Sequence, residues 1–467
     1  MKKPIRDVMA VLSGDIGSRI VGFFVTVYLA RVLAPASFGL INIGLAVLGY
    51  LALAGSPGIQ MVETRNAAAI EGGLPRRTGA VLALRFALAP VLIALTWVIT
   101  LFGVPAAPTR IVILLYALSL FPMALSLDWL FQGKEEFRRV AASRLLNALV
   151  FALGVILLVH ADAEITWTPI AWLAGNTAST LLLGVLYIRQ FGIPSMQWNL
   201  SSWKPILAEN VPVGGAMFLA QSVTNLPPIV IGIFLSNADA GVYSAAMKLV
   251  FFLLILDRTL NIVFLPAATR CAVREPSRYP AMLAISLRAV LVFIVPSLIT
   301  ACILAPLAFR IVFGPGYEGG VPLFCALTGY VLITILNSLL VCTLIAFGRS
   351  QTYSSIITRG AVCLCIAVIA LTPVLGTQGA TIGVLIGEGV TLWLLLRSVT
   401  TIVMLPHLRS LLRPVIAGIA MAGGAVALSG VPAYIQLGLS CLVFVFVLLL
   451  CGGFSREDIR DLRERLI

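Results

Sequence analysis

The sequence predicts an all-α integral membrane protein of about 14 transmembrane helices, with two parallel-related six-helix lobes around a central cavity and two extra C-terminal helices. Three observations predict this fold: the apolar composition, the length of the apolar runs and an internal repeat. Of the 467 residues, 60% are hydrophobic and 11% are charged, whereas soluble domains carry about 45–50% apolar and about 25% charged residues. So much apolar surface requires the bilayer as its solvent.

The apolar runs are long and unbroken rather than alternating, which excludes a transmembrane β-barrel. A helix of about 20 apolar residues crosses a bilayer, and fourteen segments approach this length. No small-residue cleavage site closes the first one, so we expect the first helix to stay in the protein. The predicted spans cover residues 9–32, 38–62, 78–103, 111–132, 145–161, 169–189, 212–235, 241–266, 284–313, 321–347, 360–376, 380–403, 414–430 and 435–452.

The basic residues predict the orientation of these spans. If the N-terminus is cytoplasmic, most of the 32 Lys and Arg fall in cytoplasmic segments, whereas Arg31, Arg110 and Arg310 lie near the opposite side. This asymmetry predicts a multi-pass protein of the bacterial inner membrane with both termini in the cytoplasm. It also accounts for most of the net charge of +13, so we expect no nucleic-acid partner.

Short motifs recur in the two halves of the chain. Leu33-x-x-Ala36-x-x-Gly39 matches Leu235-x-x-Ala238-x-x-Gly241, and Leu84-Arg85 matches Leu287-Arg288. Six spans per repeat give both halves the same orientation, and parallel repeats of this kind build transporters around a central cavity. The predicted division is an N-terminal lobe over 1–195, a C-terminal lobe over 196–408, and two extra helices with a cytoplasmic tail over 409–467.

Three cations within the spans are the main candidate site residues. An ionisable group inside the membrane costs at least about 2.5–3.5 kcal/mol on insertion scales, so it needs a reason to be there. Arg19 lies in span 1, and Lys248 and Arg258 in span 8 are about 80° apart around a helix. Such cations would line a cavity for an anionic phosphate headgroup. The alternatives are an intrahelical salt bridge for Arg19 and snorkelling to the interface for Lys248.

Span 7 combines two amides with two prolines. Gln221 and Asn225 are one turn apart and are further substrate-binding candidates. Pro227-Pro228 removes two helix hydrogen bonds, which predicts a kink. We interpret this kink as a hinge for opening and closing the cavity, with a static kink as the alternative.

Carboxylates within spans are candidates for ion coupling or for tuning the cations. They are Asp15, one turn before Arg19, together with Asp257 and Glu388. We expect Glu388 to pair with a neighbouring helix, and Arg85 to snorkel to the cytoplasmic interface. No cofactor or metal is expected, because Cys363-x-Cys365 lacks a second ligand pair and His160 and His407 lie far apart.

Several short segments carry a family resemblance that covers most of the chain in order. These segments are Ala30-Arg-Val-Leu-Ala-Pro-Ala-Ser-Phe-Gly39, Gly58-Ile-Gln, Glu63-Thr-Arg65, Ala240-Gly-Val-Tyr-Ser-Ala-Ala-Met-Lys248, Phe264-Leu-Pro266 and Phe313-Gly-Pro-Gly-Tyr317. In them the sequence resembles the Wzx-type polysaccharide-repeat-unit flippases of the multidrug/oligosaccharidyl-lipid/polysaccharide exporter superfamily.

The resemblance implies a flippase rather than an enzyme. Its substrate would be an undecaprenyl-diphosphate-linked oligosaccharide, moved by alternating access from the cytoplasmic to the periplasmic leaflet for O-antigen (lipopolysaccharide) or exopolysaccharide synthesis. A polysaccharide polymerase and a chain-length regulator would be its protein partners. Related lipid II flippases have cavity cations in the first and eighth spans, and Arg19, Lys248 and Arg258 stand at comparable places.

Four other functions compete with this interpretation. A lipid II flippase and a drug/cation antiporter belong to the same superfamily, but an antiporter favours acidic cavity residues for its cationic drugs. A major-facilitator transporter also has two six-span halves, yet the loop after span 2 lacks its Gly-x-x-x-Asp-Arg-x-Gly-Arg-like motif. A membrane-bound polymerase or ligase would need a large periplasmic loop, and the longest loops here are short.

Overall fold

The computed structural model describes five stretches of the chain and, within them, helices but no strand. This confirms the predicted all-α class. The side chains of residues 2–16, 408–410 and 433–434 lie outside the description. The described stretches are residues 2–69, 74–103, 106–404, 408–428 and 430–450.

Contacts between helices divide the chain into two compact units, Met1–Gly241 and Val242–Ile467. The division falls inside the twelfth helix. The helices of the first unit are α1 (Lys2–Val32), α2 (Pro35–Gly55), α3 (Ile59–Ala69), α4 (Leu74–Gly103), α5 (Ala107–Ala117), α6 (Leu120–Leu125), α7 (Asp128–Gly133), α8 (Phe137–Leu158), α9 (Trp167–Phe191), α10 (Leu200–Ala220) and α11 (Ser222–Phe234).

The second unit begins within α12 and consists of long helices. Here α14 packs on α15 and α18, α16 lies along α17, and α18 lies along α19. These helices are α12 (Asn237–Leu253), α13 (Ile255–Arg274), α14 (Tyr279–Val312), α15 (Gly320–Ala346), α16 (Ser350–Leu375), α17 (Thr377–Val399), α18 (Leu408–Ala427) and α19 (Ala433–Leu450).

Each predicted span coincides with a helix or a group of helices. In the described stretches, ten of these are long and apolar enough to cross a membrane, and a bent pair, α10 with α11, makes an eleventh. The two C-terminal helices offer shorter apolar segments, Leu411–Ala427 and Ile435–Leu450. The total of fourteen spans and the division at 195 and 408 stay predictions.

Three spans differ from their predicted form. Predicted span 2 continues to residue 62, but α2 ends at Gly55 because Pro57 cannot donate a helix hydrogen bond and Gly58 has φ +69°. Predicted span 4 is divided into the three short helices α5, α6 and α7. Predicted span 8 ends at residue 266, whereas α13 continues as a helix to Arg274.

The repeated glycines lie against each other. A Cβ on Gly39 would meet the carbonyl oxygen of Asn237 at 1.8 Å, and a Cβ on Gly241 would meet that of Pro35 at 2.0 Å. Pro35 and Asn237 are themselves equivalent positions of the repeat, so the contact is reciprocal. The starts of α2 and α12 therefore cross backbone to backbone, which only glycine allows at these two positions.

Candidate functional site

The three predicted cations lie on three helices. Arg19 is exposed on α1 in the first unit. Lys248 is half-buried on α12 and Arg258 is exposed on α13, both in the second unit. Among the residues that the structure describes, neither the Lys248 ammonium nor the Arg258 guanidinium has a carboxylate within salt-bridge distance. Both side chains remain candidate contacts for an anionic ligand.

The bend in predicted span 7 lies at Gln221 rather than at the prolines. Helices α10 and α11 meet there at 58°, and Gln221 is exposed. Pro227 and Pro228 are buried within α11. A proline removes the hydrogen bond to the carbonyl four residues earlier and its ring crowds that carbonyl, so its disturbance falls about one turn before it.

Asn225 lies in the first turn of α11 against α2. Its side chain is 6% exposed, and a Cβ on Gly49 would approach its Nδ2 to 2.3 Å. The Nδ2 donor is buried without an acceptor among the described residues. Tyr50 connects the same two helices, because its hydroxyl is 3.1 Å from Ser222 Oγ. Gln221 and Asn225 thus differ sharply in exposure, and only Gln221 is open to a ligand.

Two carboxylates within the predicted spans of the second unit, Asp257 and Glu388, accept hydrogen bonds from side-chain amides. Asn337 Nδ2 on α15 donates to Glu388 Oε2 on α17 at 2.8 Å, which confirms the predicted pairing of Glu388 with a neighbouring helix. On α13, Asn261 Nδ2 donates to Asp257 Oδ1 at 3.2 Å. Cys342 Sγ of α15 donates to Asn261 Oδ1, also at 3.2 Å. Helices α13, α15 and α17 are therefore joined by a line of polar groups. The Asp15 side chain lies outside the described residues.

Arg85 does not snorkel, contrary to the sequence-based expectation. It is 8% exposed on α4. Its Nε donates to Ser56 Oγ at 2.7 Å and its Nη1 to the Ser126 carbonyl at 2.9 Å, and its Nη2 donates to the Met123 carbonyl. The ends of short helices leave carbonyls without partners. Arg85 therefore satisfies the carbonyls exposed by the break between α6 and α7.

A polar cavity of about 280 Å³ adjoins Arg85 within the first unit. Its lining includes Asp128, Arg144 and Asn147 as well as hydroxyl groups of α8 and α9. Asp128 Oδ1 is buried and accepts no hydrogen bond from the described residues. Sequence reasoning missed this cavity, because its polar groups come from six different helices and share no motif.

A second group that the sequence did not reveal joins α3, α4 and α10. Glu63 is fully buried and accepts two hydrogen bonds from Arg77, at 2.7 and 2.9 Å. Asn210 Nδ2 of α10 donates to Glu63 Oε1 at 3.1 Å. Arg77 also reaches Glu209 of α10 at 3.0 Å, and Arg65 reaches it at 2.6 Å. We call Glu63, Arg65, Arg77, Glu209 and Asn210 the α10 clamp. The sequence signal for it was weak, because Glu63 directly follows predicted span 2 and is followed by Thr64, Arg65 and Asn66.

Known proteins resemble this chain in sequence profile and in fold. The sequence profile of the family described as polysaccharide biosynthesis protein matches residues 5–271, more than half of the chain. A comparison with curated protein sequences finds no match.

Solved structures share the fold at low sequence identity. The lipid II flippase MurJ in an inward closed conformation aligns with a TM-score of 0.76 at 14% identity, over 97% of this chain and 100% of that chain. An inward-facing multidrug resistance MATE family transporter of the MOP superfamily gives 0.66 at 12% identity, over 82% and 94%. A MOP superfamily transporter from Pyrococcus furiosus with a binding pocket of reverse polarity gives 0.52 at 12%, over 85% and 94%. The chain has the fold of this superfamily of transporters.

Proposed function

The chain belongs to the polysaccharide biosynthesis protein family, and we propose that it is a flippase for undecaprenyl-diphosphate-linked oligosaccharide repeat units. It moves them from the cytoplasmic to the periplasmic leaflet of a bacterial inner membrane for surface polysaccharide synthesis. Family membership and the superfamily fold support a transporter of this kind. The substrate, direction and mechanism are the proposal.

The observation that carries the proposal is the lack of a carboxylate partner for Lys248 and Arg258 among the described residues. A diphosphate loses much of its hydration when it enters the membrane, and uncompensated burial of its charge is prohibitive. Fixed cations offset that loss, and the guanidinium fork also gives bidentate geometry. Arg19 and the exposed amide of Gln221, both in the first unit, are further proposed contacts for the substrate.

The polar line of α13, α15 and α17 is the proposed coupling element. Glu388 and Asp257 are held by amides rather than by cations, so each can bind a proton or a cation without first breaking a salt bridge. Occupancy of these carboxylates would bias the transporter toward one of its two states, because a ligand shifts an equilibrium by its differential affinity for them.

The test of the proposed function is export of surface polysaccharide in cells that depend on this chain. Arg258→Gln should abolish export, whereas Arg258→Lys should retain part of it because charge is kept and the fork is lost. Arg138→Gln is the control, since Arg138 is exposed at the start of α8. Membrane levels are measured for every variant. Export at the wild-type level by normally inserted Arg19→Ala, Lys248→Ala and Arg258→Ala variants would refute the assignment.

A further inference from the structure

Three arginines of the second unit converge on one cavity. The cavity has a volume of about 570 Å³ and lies where the end of α15, the start of α16 and the end of α17 meet. Arg349, Arg359 and Arg397 line it, and no carboxylate is among the described residues that do so. We call it the three-arginine pocket. It is separate from the transport residues discussed above.

The arginine side chains of this pocket are not neutralised by carboxylates. Within the described part of the chain, none of them has a carboxylate within salt-bridge distance. All three are exposed. Positive charge on a membrane-protein loop is often only a topology signal, but such charges need not converge. Here they share one concave space with neutral donors, the amide of Gln351 and the hydroxyl of Thr352.

The start of α16 adds a further positive element. This helix has 26 residues, and its N-cap, Arg349, makes no side-chain capping hydrogen bond. Gln351 and Thr352, which line the pocket, lie in the first turn of this helix, where N–H groups have no acceptor within their own helix. A helix N-terminus carries partial positive charge and binds phosphate oxygens through such N–H groups. The arginines and the helix end are independent features, and both favour an anion.

The end of α17, which also lines the pocket, repels an anion less than a bare helix C-terminus would. The C-terminal end of α17 would present carbonyl oxygens, but the Thr401 hydroxyl donates to the Ser398 carbonyl at 2.7 Å and the Thr400 hydroxyl to the Arg397 carbonyl at 2.8 Å. Two of the carbonyl oxygens at this end are therefore already hydrogen-bonded.

An exposed tryptophan beside the pocket indicates that the anion is the phosphate of a lipid. Trp393 lies one turn before Arg397 and is 58% exposed, and the Arg397 guanidinium carbon lies 5.9 Å from its ring centroid. Tryptophan at the surface of a membrane protein favours the headgroup level of the bilayer. A cationic pocket at that level meets lipid phosphates before it meets soluble ones.

We propose that the three-arginine pocket binds the phosphate of an anionic membrane-lipid headgroup. Arg349, Arg359 and Arg397 contact the phosphate oxygens, and the first turn of α16 donates N–H groups to them. By the predicted orientation this is the cytoplasmic leaflet. The proposal does not depend on the flippase assignment, because lipid binding is measured without transport.

The experiment uses the purified full chain in dodecyl maltoside micelles containing dioleoyl phosphatidylglycerol, with bound lipid counted by native mass spectrometry. The site variant combines Arg349→Gln, Arg359→Gln and Arg397→Gln. The matched control combines Arg138→Gln, Arg270→Gln and Arg274→Gln, three exposed arginines outside this pocket. Relative to the wild type, we expect the affinity of the site variant for phosphatidylglycerol to fall about tenfold. The affinity of the control should change by less than about twofold. An Arg-to-Lys site variant should bind at an intermediate level.

A second readout locates the lipid. Phosphatidylglycerol with brominated chains should quench the fluorescence contributed by Trp393, taken as the difference between the wild type and Trp393→Phe, and the site variant should lose this quenching. Equal loss of affinity in both triple variants would show a general charge effect and overturn the proposal. So would wild-type binding by the site variant, or binding of inorganic phosphate without binding of phosphatidylglycerol.

Discussion

Arg85 and Glu63 show how single charges are accommodated inside this helix bundle. Arg85 is held by two backbone carbonyls and one hydroxyl, and Glu63 by the guanidinium fork of Arg77. A buried charge is tolerated when its partners satisfy it and costs several kcal/mol when one of them is removed. Charges with such partners support the structure, whereas among the described residues no carboxylate lies within salt-bridge distance of Lys248 or Arg258, the two cations proposed to contact the substrate.

Removing Arg77 should destabilise the protein far more than removing its neighbour. Arg77→Gln leaves the fully buried Glu63 carboxylate without its cation, so the free energy of unfolding should fall by about 3 kcal/mol. Arg76→Gln changes an exposed side chain and should alter it by less than about 0.5 kcal/mol. Titration of both purified variants with SDS measures the difference. If both variants lost the same small amount of free energy of unfolding, the structural role given to the α10 clamp would be contradicted.

The sequence identified most of the charged positions within spans but only part of their roles. Glu388 was predicted to pair across helices, because a lone acid in an apolar run has few other means of stabilisation, and it does so with Asn337. Arg85 was misjudged, because the carbonyls that it covers exist only once span 4 is divided into α5, α6 and α7. That division is a tertiary feature, and hydropathy alone does not reveal it.

The element of greatest functional interest is the bent pair of α10 and α11. The α10 clamp fixes α10 to α3 and α4, and α11 packs along α2. The break at Gln221 lies between these two attachments. We propose that the pair bends further or straightens there during transport, with Pro227 and Pro228 keeping the first turn of α11 weak.

Replacing both prolines should slow transport without unfolding the protein. Pro227→Ala with Pro228→Ala restores two helix hydrogen bonds, so the break at Gln221 should stiffen. Pro205→Ala is the control, because Pro205 is exposed in α10 away from the bend. We expect the double variant to reach the membrane normally and to export polysaccharide more slowly, and the control to match the wild type. Unchanged export by a folded double variant would show that the bend is static.

The internal repeat could be recognised from the sequence because its glycines are needed where two helices meet backbone to backbone. Gly39 and Gly241 were matched by motif alone, and the structure brings these two residues together. The helix ends were less predictable from hydropathy, since the end of α2 depends on Pro57 and Gly58 and the bend at Gln221 on the prolines one turn later.

At the scale of the whole molecule, the family and the fold are distinct from the choice of substrate. Family membership and the superfamily fold are established by the match over residues 5–271 and by the structural likenesses. The proposed assignment of an anionic lipid-linked substrate depends on Arg19, Lys248 and Arg258. It therefore needs a measurement of transport in which the chain is the only protein present.

The most direct measurement places the purified chain in proteoliposomes with an undecaprenyl-diphosphate-linked oligosaccharide. A membrane-impermeant sugar oxidant then reports how fast the inner-leaflet oligosaccharide becomes accessible from outside. The account predicts that the wild type exposes it, that the combined Arg19→Gln, Lys248→Gln and Arg258→Gln variant is slower by at least about tenfold, and that the Arg138, Arg270 and Arg274 control triple matches the wild type. Exposure at the wild-type rate by a folded Arg19, Lys248 and Arg258 triple variant would contradict the central claim.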